Sequence, residues 1–127
     1  MLIKSVVDYK DFSEYLEKYK NVIVNISAPW CKPCKDIKPL IEKFLSVIDK
    51  DNIIYLKIEY DVYANEEEFD PHFSVKKIPY FGLLRDGEVV YSVVSGDFAE
   101  VSQNLHQRIS MIPEDEKSVL FDIDKDF

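Results

Sequence analysis

A run of five mostly apolar residues, numbers 22–26, leads into the segment that holds both cysteines of the chain. Apolar residues without alternation predict a strand covered on both faces, as in a sheet with helices above and below it. Cys31 and Cys34 follow, and apolar residues then recur at helical spacing from Ile37 to Ile48. The sequence therefore predicts a buried strand, a short connection and a helix, with the two cysteines where the helix begins.

Further strands and helices flank this unit, and 127 residues suit a single hydrophobic core. In chain order, the predicted elements are a strand over residues 2–7, a helix capped by Asp8 or Asp11 that continues to about Tyr19, the strand over 22–26, a helix kinked at Pro39, a strand over 53–58, a helix or helix-rich connection over 61–73 that starts near Asn65, strands over 80–84 and 88–94, and a helix from Asp97 to about Ile112. Arg85-Asp86-Gly87 predicts a hairpin turn between the last two strands, which then pair antiparallel. This order predicts an α/β fold with a mixed central sheet sandwiched by helices.

The charge balance bears on the class of partner. Sixteen lysines and arginines stand against 24 acidic residues, for a formal net charge of -8. Such a surface repels phosphate backbones and anionic lipids on average, which argues against nucleic-acid and membrane partners. The amino-terminal residues show no basic segment followed by a long apolar run, so we expect a cytoplasmic or similarly reducing location.

The two cysteines are three positions apart, and a disulfide that closes so small a loop stabilises a fold little. They supply only half of a four-ligand zinc site, and His72 and His106 lie far away in the sequence, so we expect no metal. At the start of a helix, the thiolate of Cys31 is favoured by backbone N–H groups and the helix dipole. A redox pair is the favoured interpretation, with Cys31 attacking and Cys34 resolving the mixed disulfide; two small buried hydrophobic residues are the alternative.

The segment Ala28-Pro29-Trp30-Cys31-Lys32-Pro33-Cys34-Lys35, followed by Pro39, resembles the thioredoxin family. The resemblance covers residues 1–112 and implies a thioredoxin fold and a thiol–disulfide oxidoreductase that needs no cofactor beyond its own disulfide. It implies disulfide-containing protein substrates and a reductase-type or glutathione electron donor. The positions that it marks are Trp30 as an apolar lip, Ile78 and Pro79 as a cis-proline loop facing the cysteines, Gly96 beside the substrate groove, and Lys57 behind the pair.

Several residues depart from the family's pattern, and two of them bear on the chemistry of the cysteines. Asn25 stands where many members carry a buried aspartate that exchanges a proton with the resolving cysteine, and an amide has no titrating proton. Its role is either a satisfied buried amide or a changed proton route. Lys32 replaces a glycine beside Pro33, which restricts the turn, and Lys32 is expected to join three further lysines in a basic ring: Lys35, Lys76 and Lys77.

Positive charge near Cys31, together with a missing carboxylate, favours the thiolate and predicts a reduction potential above the value of about -270 mV typical of thioredoxin. The same lysines suggest acidic partners, although a solvated surface is the simpler explanation for any one of them. A binding or adaptor module on the same fold, with little redox turnover, is the alternative function.

Residues 113–127 lie outside the resemblance and are predicted to form an acidic carboxy-terminal extension after a domain over 1–112. The extension holds six acidic residues and two lysines. It also holds five large apolar residues, too many for a purely solvating segment: Val119, Leu120, Phe121, Ile123 and Phe127. We therefore expect the extension to pack on the domain or on a partner.

Overall fold

The computed structural model describes residues 1–114 and residue 116. Its elements are β1 (Leu2–Val6), α1 (Tyr9–Lys18), β2 (Asn21–Ser27), α2 (Lys32–Ser46), β3 (Ile53–Glu59), α3 (Tyr60–Asn65), a short 3-10 helix (Glu67–Phe69), β4 (Tyr80–Arg85), β5 (Glu88–Val94) and α4 (Phe98–Ser110). The strands form one five-stranded sheet in the order β1-β3-β2-β4-β5. β3 pairs parallel with β1 and β2, whereas β4 pairs antiparallel with β2 and β5, which confirms the mixed sheet.

Helices cover both faces of the sheet, so two apolar clusters form. One lies between the sheet and the side of α1 and α3, where Phe12 and Phe69 are fully buried. The other lies between the sheet and the helices α2 and α4, around Ile41 and Leu105. The central strand β2 alternates between them, and this explains why its apolar run has no polar face.

Local signals placed several element ends correctly. The carboxylate of Asp8 accepts a hydrogen bond from the N–H of Asp11 at 2.8 Å and caps α1. Asp97 caps α4 by accepting from the N–H of Ala99 at 3.0 Å. Asp86 and Gly87 both have positive φ, as a two-residue hairpin turn requires, so the predicted hairpin is confirmed.

The connection between β3 and β4 differs from the prediction. The helix α3 begins at Tyr60, directly after the sheet, and ends at Asn65, where a start was predicted. Glu59 precedes it in extended conformation without a capping hydrogen bond from its side chain, so the usual sequence signal for a helix start is missing. An irregular segment follows α3 and packs against the sheet, and the ring of Phe73 in this segment stacks on the ring of Tyr63 in α3.

The segment after α4 crosses the end of the sheet opposite to the cysteines. The side chain of Asn52 donates to the carbonyls of Pro113 and Glu116, at 3.1 and 2.9 Å. The carboxylate of Glu116 accepts from Asn21 at 2.8 Å and forms an ion pair with Arg85. The boundary between a domain and an extension stays a prediction, and the expected packing of the five apolar residues of the extension lies outside the described residues.

None of the helices among the described residues is both long and apolar enough to cross a membrane.

Candidate active site around Cys31 and Cys34

The two cysteines lie at the amino terminus of α2 and form a disulfide, with their Cα atoms 5.3 Å apart. Cys31 is the N-cap of the helix, and its Sγ accepts a hydrogen bond from the N–H of Cys34 at 3.3 Å. Cys31 is 8% exposed and Cys34 is 3% exposed. The geometry therefore offers Cys31 to a partner more readily than Cys34.

The first turn of α2 favours a thiolate at its amino terminus. Helix N–H groups and the helix dipole stabilise negative charge at that end, and here one N–H already points at Cys31 Sγ. Pro33 occupies the first turn, where its missing N–H is not needed. Lys32 is exposed and pairs with Asp36 one turn later at 3.1 Å, so part of its charge is compensated.

An apolar rim surrounds the disulfide. Ala28, Tyr60 and Ile78 pack against the two cysteines. The Ile78–Pro79 peptide bond is cis, which confirms the isomer expected for that loop. Trp30 is 67% exposed, and its ring meets that of Tyr60 edge-to-face at 6.5 Å. The largely exposed ring of Trp30 therefore lies beside the two cysteines.

Gly96, between β5 and α4, approaches the turn between the cysteines. A Cβ on this residue would come within 2.9 Å of Pro33 Cβ, closer than real side chains pack. The loop therefore rests on Pro33 only because residue 96 is a glycine. The structure brings the sequence-predicted residues Gly96, Ile78 and Pro33 to the same end of the fold.

Behind the cysteines, the sheet places Asn25 in register with Lys57. Asn25 is 7% exposed and donates to the carbonyl of Tyr80 at 3.2 Å, so its amide is satisfied. The ammonium of Lys57 lies 3.5 Å from the carboxylate of Glu42 on α2. Lys38 pairs with the same carboxylate at 3.0 Å.

Two adjoining clefts reach this region. A cleft of about 210 Å³ has Cys34 in its wall, and one of about 370 Å³ has Asn25 and Lys57 in its wall. Three residues line both clefts: Ser27, Lys38 and Glu59. Sequence reasoning missed Glu59 and Lys38. The sequence signal for Glu59 was its position directly after the predicted strand over 53–58. A residue at the end of such a strand lies at the edge of the sheet, where helices begin.

The four lysines of the predicted basic ring are all exposed, and Lys35 lines the cleft at Cys34. Lys76 and Lys77 precede the cis-proline loop. In the part of the chain that the structure describes, neither of these two nor Lys35 forms an ion pair, so their charge is available to a partner. The described residues also contain no group of three potential metal ligands among His, Cys, Asp and Glu.

Comparisons with known proteins agree on one family. A family model described as Thioredoxin matches residues 4–111. Thioredoxin of Gallus gallus is 35% identical over 92 residues, which cover 70% of this chain and 82% of that protein. Thioredoxin-2 of Pyricularia oryzae is 31% identical over 97 residues, which cover 76% of this chain but only 54% of that longer protein. The crystal structure of reduced thioredoxin pre-protein from Schistosoma mansoni superimposes with a TM-score of 0.68 at 26% identity, over 84% of this chain and 98% of that one.

Proposed function

The chain belongs to the thioredoxin family and is a thiol–disulfide oxidoreductase, and we propose that it reduces or exchanges disulfides in proteins, with Cys31 attacking and Cys34 resolving. The observation that carries the assignment of roles is the position of the disulfide. Cys31 caps α2 and is the more exposed of the two residues, whereas Cys34 lies one turn inside. The sulfur that meets the substrate must be both reachable and stabilised as a thiolate, and Cys31 satisfies both conditions.

The reaction consists of two exchanges. In the reduced protein, the Cys31 thiolate attacks one sulfur of the substrate disulfide, and the other substrate sulfur leaves as a thiolate. The Cys34 thiolate then attacks Cys31 Sγ, which closes the Cys31–Cys34 disulfide and releases the second substrate sulfur. Two electrons pass from the dithiol to the substrate, and the protein is left in the oxidised state described above.

The apolar rim supports a role in substrate binding. Ile78 packs on the cysteines and precedes the cis-proline, and its backbone is proposed to pair with an extended substrate segment as an added strand. Trp30 would cover the apolar side chains of that segment. Because Gly96 has no Cβ, the loop after β5 can lie close to Pro33, and this leaves room for the substrate.

Electron donor, partners and location are also proposals. The donor is proposed to be a thioredoxin-reductase-type protein or glutathione, and a role in electron transport follows from either. The exposed lysines around the cysteines support acidic protein substrates. A reducing compartment such as the cytoplasm is supported by the use of the only two cysteines as an exchanging pair rather than as a staple.

The roles of the two sulfurs can be tested by trapping. Cys34→Ser should accumulate a mixed disulfide with a disulfide-bonded peptide, because the second exchange is blocked. The matched variant Cys31→Ser should accumulate less, since Cys34 is the more buried of the two cysteines. Equal trapping by the two variants, measured by mass spectrometry under non-reducing conditions, would contradict the assignment of roles.

A further inference from the structure

Cys34 must lose its thiol proton before it can attack Cys31, because the thiolate is the nucleophile. Its side chain is almost fully buried, so a proton acceptor must reach it through the cleft in whose wall it lies. Asn25, on β2 behind the cysteines, carries an amide and cannot accept that proton. The proton acceptor must therefore be another group that lines the same cleft as Cys34.

The cleft of about 210 Å³ is the space that meets Cys34. This volume has room for several water molecules at a liquid volume of about 30 Å³ each. Its charged lining consists of Glu59 with Lys35 and Lys38 of α2. The adjoining cleft has the same carboxylate, together with Lys38 and Lys57. Glu59 is thus the carboxylate in both walls, which it shares with three lysines.

The side chain of Glu59 is also uncommitted within the part of the chain that the structure describes. It makes no capping hydrogen bond to α3, although Glu59 is the N-cap residue. The ion pairs among the described residues do not include it. Glu42, the other carboxylate near the lysines, lines neither cleft and is held by Lys38 and Lys57. Geometry therefore selects Glu59 over Glu42.

We propose that Glu59 accepts the proton of Cys34 through water in the cleft during the second exchange. This inference rests on the proposed function of the two cysteines. The proton passes from Cys34 Sγ through water to the carboxylate as Cys34 Sγ bonds to Cys31 Sγ. The bond between Cys31 Sγ and the substrate sulfur breaks, the substrate leaves as a thiolate, and Glu59 returns the proton to solvent. Glu59 receives the proton through water and does not touch the sulfur, so we class it as a positioning residue and not as a catalytic residue.

The second exchange can be measured by itself with an aromatic disulfide that releases one coloured thiolate at each step. The first release reports attack by Cys31, and the second reports attack by Cys34. Glu59→Gln is expected to leave the first release unchanged and to slow the second about tenfold at neutral pH, below the range of about 10²–10⁴ for a directly placed acid or base. Glu59→Asp should restore most of the rate.

The sign of the effect separates proton transfer from simple electrostatics. Loss of a negative charge near Cys34 favours its thiolate, so a purely electrostatic role would make the second release of Glu59→Gln faster at acid pH. A faster or unchanged second release in that variant overturns the proposal. Asp61→Asn, an exposed acid of α3 that lines neither cleft, is the matched control and should retain the full rate. An equal loss in Asp61→Asn or in Glu42→Gln would also overturn it. A missing first release would instead contradict the role of Cys31 and hence the proposed function.

Discussion

Asn25 on β2 lies in register with Lys57 on the parallel strand β3, yet the carboxylate that pairs with Lys57 belongs to Glu42 on α2. The polar position inside the sheet therefore holds a neutral amide, and the charge partner of the lysine comes from a helix. Because the amide donates to the carbonyl of Tyr80, the site is satisfied without an ionised group on β2.

Asn25→Asp should destabilise the protein at neutral pH by about 1–3 kcal/mol, since an ionised carboxylate cannot donate to Tyr80 and loses hydration at this buried position. Burial raises the pKa of such an aspartate, so the loss should shrink as the pH falls through that raised pKa. Urea unfolding at neutral and at acid pH measures the effect. A variant as stable as the unmodified chain at neutral pH would contradict the explanation.

Phe12→Ala should lower the free energy of unfolding by about 3–5 kcal/mol, because the ring is fully buried between Phe69 and Phe73 and leaves a cavity. Leu40→Ala, on the exposed side of α2, is the control and should change it by less than about 0.5 kcal/mol. Both values come from urea unfolding curves. Similar losses in the two variants would be inconsistent with the core described above.

Glu116→Gln tests the contact between the segment after α4 and the sheet. The hydrogen bond from Asn21, together with Arg85, holds the pKa of Glu116 below its usual value. The ionised carboxylate therefore stabilises the fold above about pH 4, and this contribution is lost as the pH falls through the lowered pKa. The variant should lose about 0.5–1 kcal/mol at neutral pH and match the unmodified chain in acid. Glu114→Gln, exposed in the same segment, should show no such difference.

Gly96→Ala should slow the reduction of a protein disulfide more than that of a small disulfide. The added Cβ would meet Pro33, so the loop after β5 must move toward the space where an extended substrate is proposed to lie. The rates of the two reactions, compared between the variant and the unmodified chain, measure the effect. Equal loss with both substrates would point to a disturbed disulfide rather than a narrowed groove.

The Cys31–Cys34 pair is expected to have a reduction potential above about -270 mV, because Lys32 and the neutral Asn25 both favour the Cys31 thiolate. Asp36 compensates part of the charge of Lys32, so Lys32→Gln should lower the potential by only on the order of 10 mV. Lys43→Gln, at the far end of α2, is the control. Equilibration with glutathione gives the potentials. A potential of the unmodified chain below the thioredoxin value of about -270 mV would contradict the expectation.

Local patterns predicted most of the fold and the centre of the site. The hairpin at Asp86 and Gly87, the caps at Asp8 and Asp97, and the cysteines at the start of α2 all depend on neighbours in sequence. The start of α3 could not be predicted in this way, because Glu59 offers no capping hydrogen bond.

Contacts between distant elements set the rest of the site. Glu42 meets Lys57 because α2 packs on the sheet with the face that carries Glu42 turned toward β3. The helical period predicts which face of α2 is buried, but it does not predict which strand residue lies opposite Glu42. The family resemblance predicted Gly96 beside the substrate groove, but the close approach of Gly96 to Pro33 is visible only in the structure. The two clefts that join Cys34 to Glu59 arise only when β3, α2 and the loop after β2 are packed together.

We propose that the chain reduces protein disulfides through Cys31. Reduction of insulin driven by dithiothreitol, followed as turbidity, tests it most directly when the unmodified chain is compared with Cys31→Ser. The unmodified chain should bring the onset of turbidity forward, and Cys31→Ser should match dithiothreitol without protein. An unmodified chain that is no faster than Cys31→Ser would contradict the claim.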